Sequence, residues 1–161
     1  MRKVRHSFIL GVLGGSLAFS AASAAPSAAP QEFTAYIGGF LGASFAVEWT
    51  GKELIYSTKQ SGKGMVVTAR LQPTQAQWKA FKTAIEKAGV GHWRASYMNN
   101  QVMDGTQWAL TVKFKEFKTS SQGSNSYPLQ NGEPGNDPSF TPAFEAYLKA
   151  VKTLLRGRTF R

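Results

Sequence analysis

A 24-residue leader and a complete lack of cysteine set the terms for any fold this chain can adopt. Arg2, Lys3 and Arg5 open the chain, and an apolar stretch runs from Phe8 to about Phe19. Ala22-Ser23-Ala24 then places small residues where a signal peptidase reads. This is the pattern of a secretory signal peptide, with cleavage expected after Ala24 and a periplasmic or secreted product. The apolar stretch is broken by Gly and Ser and falls short of the ~20 residues a membrane span needs, so no transmembrane segment is expected after cleavage. Export leads to an oxidising compartment, where many small domains are held by disulfides. With no cysteine, the 137 residues after the leader must hold together through a hydrophobic core, which a domain of this size can supply.

The same two facts narrow the chemistry. Without cysteine there is neither a thiol nucleophile nor a thiolate metal site. His6 lies in the leader, which leaves His92 as the single imidazole of the domain. Three of the 19 Lys and Arg also lie in the leader, so the remainder carries 16 bases against 9 acids, a net charge of +7. In an exported protein that balance favours an envelope protein, a glycan or an anionic surface as partner and disfavours nucleic acid. The plainer reading is that the charge keeps the protein soluble.

Periodicity organises the rest. Residues 25–31 (APSAAPQ) read as a flexible tether and 32–161 as a single domain. Phe33, Ala35 and Ile37 alternate with polar positions as a half-buried strand does, and Gly38, Gly39 and Gly42 then interrupt the pattern. Phe45, Val47 and Trp49 share one face of a second strand. Leu54–Lys59 returns beside it after Thr50-Gly51-Lys52, and Met65–Leu71 follows a second turn. Thr74 and Gln77 form a capping box ahead of the stripe Trp78, Phe81, Ile85 and Ala88, with Gly89 placed to end that helix. Val90–Met103 reads as an aromatic-rich loop. Trp108, Leu110, Val112 and Phe114 alternate cleanly, and Phe117–Gln122 is expected to pair back against them. After a polar loop from Tyr127 to Pro138, Thr141 and Pro142 open a final helix that buries Phe144, Tyr147, Leu148, Val151, Leu154 and Leu155. The expected fold class is α+β: an antiparallel sheet of about five strands with two helices packed on one face, in the order β-β-β-α-β-β-α.

Candidate chemistry is sparse. His92 lies beside Trp93 with no sequence-evident nucleophile, and Glu48 and Glu53 flank the first hairpin turn. One histidine without cysteine makes no zinc set, and the spacing of Asn131, Glu133, Asn136 and Asp137 does not match an EF-hand loop. Gly38-Gly39 and Gly62-Lys63-Gly64 match no phosphate loop. No cofactor, metal or catalytic residue is therefore expected. Lys113, Lys115 and Lys118 are interleaved with Phe114 and Phe117, a pattern that can stack bases but that on an alternating strand sends the lysines to water. The tail Arg156, Arg158, Phe160 and Arg161 reads as a frayed, solvated terminus.

The most specific block is Asp104-Gly105-Thr106-Gln107-Trp108 followed by Gly123-Ser124-Asn125-Ser126-Tyr127-Pro128, with Trp93 and Tyr97 upstream. It resembles a widespread bacterial exported domain of no known activity, whose pattern is a Trp and Tyr/Asp loop, an Asp-Gly-x-x-Trp strand and a Gly-Ser-Asn-x-Tyr-Pro turn before a last helix. The resemblance covers about Phe45 to Leu155 and implies the fold; Lys115-Glu116 departs from the Asp-Gly-like hairpin turn of that pattern. Read physically, Trp93, Tyr97, Asp104, Trp108, Asn125 and Tyr127 form either a structural corner or an aromatic, amide-lined groove for a sugar or peptide. The expected function is a non-catalytic binding or interaction module of the bacterial cell envelope. The alternative is a hydrolase of cell-wall or polysaccharide material that uses Asp104 or Glu48 with His92.

Overall fold

Alternating apolar residues at Phe33–Ile37, Phe45–Trp49 and Trp108–Val112 give three strands a single buried face. A computed structural model describes residues 27–39, 42–60, 64–102 and 105–161; the leader, Phe40-Leu41, the turn residues 61–63 and Met103-Asp104 lie outside them. Four strands come first: β1 (Glu32–Gly39), β2 (Phe45–Trp49), β3 (Leu54–Gln60) and β4 (Gly64–Leu71). Helix α1 (Gln75–Lys87) follows, then a 3-10 turn at Val90–His92 and the short strand β5 (Ser96–Met98). Strands β6 (Thr106–Lys113) and β7 (Lys118–Ser124) precede helix α2 (Pro142–Leu154).

The fold is α+β, as the sequence implies, but the sheet differs from the expected one. It has seven strands in the order β4-β3-β2-β1-β6-β7-β5. It is also mixed, because β5 runs parallel to β7 while every other pair is antiparallel. Strand β1 lies near the middle, with Phe33, Ala35 and Ile37 opposite Val112, Leu110 and Trp108 of β6. All six of these side chains are buried. Ser96-Tyr97-Met98 buries only Tyr97, too short a pattern for periodicity to separate from the aromatic-rich loop that the sequence implies there.

Both helices start where the sequence places them. Thr74 Oγ1 accepts from the Gln77 amide at 3.2 Å, and Gln77 Oε1 accepts from the Thr74 amide at 2.9 Å. Gly89 takes the left-handed conformation at φ 78° that ends the turn, which costs glycine little. Thr141 Oγ1 accepts from the Phe144 amide at 3.1 Å, with Pro142 as the first helical residue. The buried stripes of the two helices meet the inner face of the sheet. Trp78 packs edge-on to Phe33 and Trp49, at 6.3 and 5.0 Å between ring centroids, and Phe144 packs on Trp108 at 4.9 Å. Burial of each such side chain contributes about 2–3 kcal/mol before entropy is counted. No helix among the described residues is long and apolar enough to cross a membrane.

Two terminal segments make contacts with the rest of the domain. Within the stretch read as a tether, Ala28 and Ala29 pack on the core, and the Gln31 amide donates to Lys113 O at 2.7 Å. The tail is not frayed. Phe160 is 2% exposed and packs on Phe45, and the Tyr56 hydroxyl donates to Thr159 O at 2.6 Å. The buried Phe160 ring and the Tyr56–Thr159 bond together hold the tail against the sheet.

Candidate functional site: the corner between β6 and β7

The two halves of the motif block lock into one another. Asn125 turns the chain at φ 50° directly after β7, and its amide donates to Thr106 O at 3.0 Å. Its side-chain Nδ2 donates to Val102 O at 3.2 Å. The space beside Gly105 is filled by that same side chain, since a Cβ at Gly105 would lie 1.7 Å from Asn125 Oδ1. Gly123 stands in register with Trp108, and a Cβ there would lie 2.4 Å from Trp108 Nε1. The missing side chain lets the indole lie across β7 and donate to Ser126 O at 3.0 Å.

Strand β7 also anchors the aromatic loop. Its inward hydroxyls bond loop carbonyls: Thr119 to Val90 O at 2.9 Å and Ser121 to Arg94 O at 2.7 Å. The Tyr97 hydroxyl accepts from the Arg94 amide and donates to Gly132 O, both at 2.7 Å. Arg94 and Glu133 pair outside it. Tyr127 packs on Phe140 and Phe144 at 4.5 and 4.8 Å, and Thr141 donates its hydroxyl to Pro128 O. Burial raises the phenol pKa of Tyr97 and of Tyr127 against smaller opposing effects, from the Arg94 amide for Tyr97 and from Thr106 for Tyr127, so both stay neutral hydrogen-bonding groups.

The structure thus brings together five of the six candidate residues, while Asp104 lies outside the described residues. Trp93 and Tyr97 each pack on Trp108 at 5.8 Å, and Phe144 joins Trp93, Trp108 and Tyr127. They do not form the open aromatic groove that the sequence allowed. Trp93 is 7% exposed, Asn125 6%, and Tyr97, Trp108 and Tyr127 2% each. Packing consumes the ring faces, and internal carbonyls accept from the Tyr97 hydroxyl, the Trp108 indole N–H and Asn125 Nδ2.

Other candidates are dispersed. Glu48 sits on the outer face of β2 between the buried Val47 and Trp49. His92 belongs to the 3-10 turn that contacts α1 and β7, on the helical side of the sheet. The two therefore stand on opposite faces. Asn131 and Asp137 spend a carboxamide or carboxylate oxygen on the amides of Glu133 and Ser139 at 3.0 and 2.7 Å. Among the described residues no three His, Asp or Glu side chains converge as metal ligands do. Phe114 is buried while Lys113, Lys115 and Lys118 face water, which fits the solvated reading of that run.

Open space lies beside the corner, around residues the sequence did not single out. The Arg161 guanidinium stacks 4.5 Å over the Phe140 ring and stands 3.6 Å from Glu145. On one side is a depression of about 320 Å³, walled by Ile37, Gly38, Gly39, Phe45 and Gly105. On the other is one of about 460 Å³, bordered by Val102, Asn125, Tyr127 and Ser139. Gly105, Thr106, Phe140 and Arg161 line both, and Glu145 adds a carboxylate to the second. The arrangement offers an aromatic face, a cation with its edge in solvent and a wall of bare backbone. Only the burial of Phe160, which carries Arg161 back to the sheet, could have revealed it. Comparison of the chain with protein-family models gives no match, and comparison with curated proteins gives none either.

Proposed function

We propose that this chain is an exported, non-catalytic binding module of the bacterial cell envelope, and that it holds its ligand across the paired depressions at the end of the sheet. The observation that carries the reading is Arg161 stacked on Phe140 at the junction of two lined hollows. Only Nη1 of Arg161 faces Glu145, at 3.6 Å, which leaves its other N–H groups for a ligand carboxylate, and the mostly apolar walls of the first depression are what small-ligand sites present. The volumes suit a sugar or short peptide bearing a carboxylate. The leader supports the envelope as the compartment, and the excess of bases supports an anionic ligand. The motif block supports membership of the bacterial exported domain family that it resembles.

The test is a titration of the purified protein with a panel of carboxylate-bearing sugars and dipeptides, read by amide chemical shifts. Saturable shifts at Thr106, Phe140 and Arg161 are expected for at least one member. Arg161→Ala should weaken that binding about tenfold or more, as loss of a charge-assisted bond does, with the melting temperature unchanged. Shifts that saturate elsewhere, or binding that ignores Arg161→Ala, overturn the reading.

A further inference from the structure

Beyond Tyr56 the β3–β4 hairpin leaves the core. Leu54, Tyr56 and Leu71 are buried at its base, whereas no side chain in 57–59 or 64–68 is. The register changes at that junction: Tyr56 pairs with Ala69 but Ser57 with Val67, which leaves Thr68 as an extra residue. Past the bulge the arm carries Met65-Val66-Val67, three apolar residues in a row, with Met65 43% and Val67 47% exposed. Met65 and Val67 share the outer face, opposite Lys59 and Ser57. Strand β4 ends the sheet, so its far side carries backbone N–H and C=O groups that no strand pairs among the described residues.

Such an edge is a template for another strand, and a two-stranded ribbon without a covered face is marginal in water. The opposite end of the sheet is guarded: β5 has three residues, and Lys118 stands on the part of β7 that β5 leaves uncovered. The arm has no charge between Gly64 and Thr68.

We propose that this arm pairs with the same arm of a second copy, antiparallel about a two-fold axis through Val66, so that two sheets join into one. The sequence is complementary to itself in that register. Met65 of each copy faces Val67 of the other on the outer face, Gly64 faces Thr68, and no like charges meet, as cross-strand pairing favours. One strand pair buries less than the roughly 1,200 Å² of a stable interface, so the dimer is weak and forms only at high concentration.

Protein recovered after expression of the full chain, with its N-terminus read by intact mass, is sedimented from about 10 µM to about 1 mM, the range in which small interfaces associate. The weight-average mass should climb from one chain toward two. The double variant Met65→Lys with Val67→Lys should stay at one chain with an unchanged melting temperature. Because the chain has no cysteine, Val66→Cys gives a second reading that does not depend on that variant's folding. Directly opposed strand residues lie within disulfide range, so mild oxidation should link Val66→Cys copies, while Thr83→Cys on α1 should not link. A wild type that stays at one chain, a double variant that associates as before, or equal linkage at 66 and 83 each overturns the proposal.

Discussion

The corner at the ends of β6 and β7 and the arm formed by β3 and β4 are both antiparallel ladders, yet different forces hold them. At the corner each glycine is the mould of a neighbour: Gly105 for Asn125, Gly123 for Trp108. Buried hydroxyls, an indole N–H and a carboxamide then tie three loops to two strands. In the arm the ladder stands nearly alone, helped by Thr58 and Thr68 hydroxyls 2.9 Å apart. Stability in this protein therefore resides in side-chain complementarity between segments distant in sequence, and a ladder with neither covered face nor partner is the part left for association.

Five variants probe this contrast, from the largest effect to the smallest. Gly123→Ala forces a Cβ onto the Trp108 indole and the Ser126 carbonyl, and should cost about 3 kcal/mol or more in denaturant unfolding. Asn125→Ala loses the bond to Val102 and puts an ordinary residue at positive φ, for about 2 kcal/mol. Asn125→Gly should recover the backbone share of that loss. Tyr147→Phe works in the other direction. Among the described residues its buried hydroxyl has no hydrogen-bond partner, and burial pushes the phenol pKa far up, so the variant should be neutral or more stable by about 1 kcal/mol. The double lysine variant of Met65 and Val67 should change monomer stability by no more than about 0.5 kcal/mol, because both side chains are exposed. A large loss there would mean that the arm supports the core after all.

Much of this is legible in the sequence where a regular period is involved. Thr74 with Gln77, Thr141 with Pro142, and the alternation of Phe33, Ala35 and Ile37 each specify a local structure that the fold retains. The extra strand Ser96–Met98 is too short to show a period, and it is held by a parallel partner 26 residues away, Ser96 against Gln122. The motif block was visible as a block, but whether its rings face solvent or core depends on Phe140 and Phe144 covering Tyr127, which no local pattern encodes. Arg161 owes its position to long-range contacts of the tail, with Phe160 buried against Phe45 and Thr159 bonded to Tyr56. The outer exposure of Met65 and Val67 was equally hidden, since Met65–Leu71 reads as an ordinary strand until the helices are seen to stop short of it.

Native-state hydrogen exchange on dilute, monomeric protein tests the contrast most directly. Amides at Tyr97, Trp108, Gln122 and Asn125 should exchange only through global unfolding and lose protection together in denaturant. Amides at Val66, Val67 and Thr68 should exchange about a hundredfold faster or more, through local opening that denaturant barely changes. Arm amides protected to the same level as the corner, or corner amides that open locally, would contradict the account.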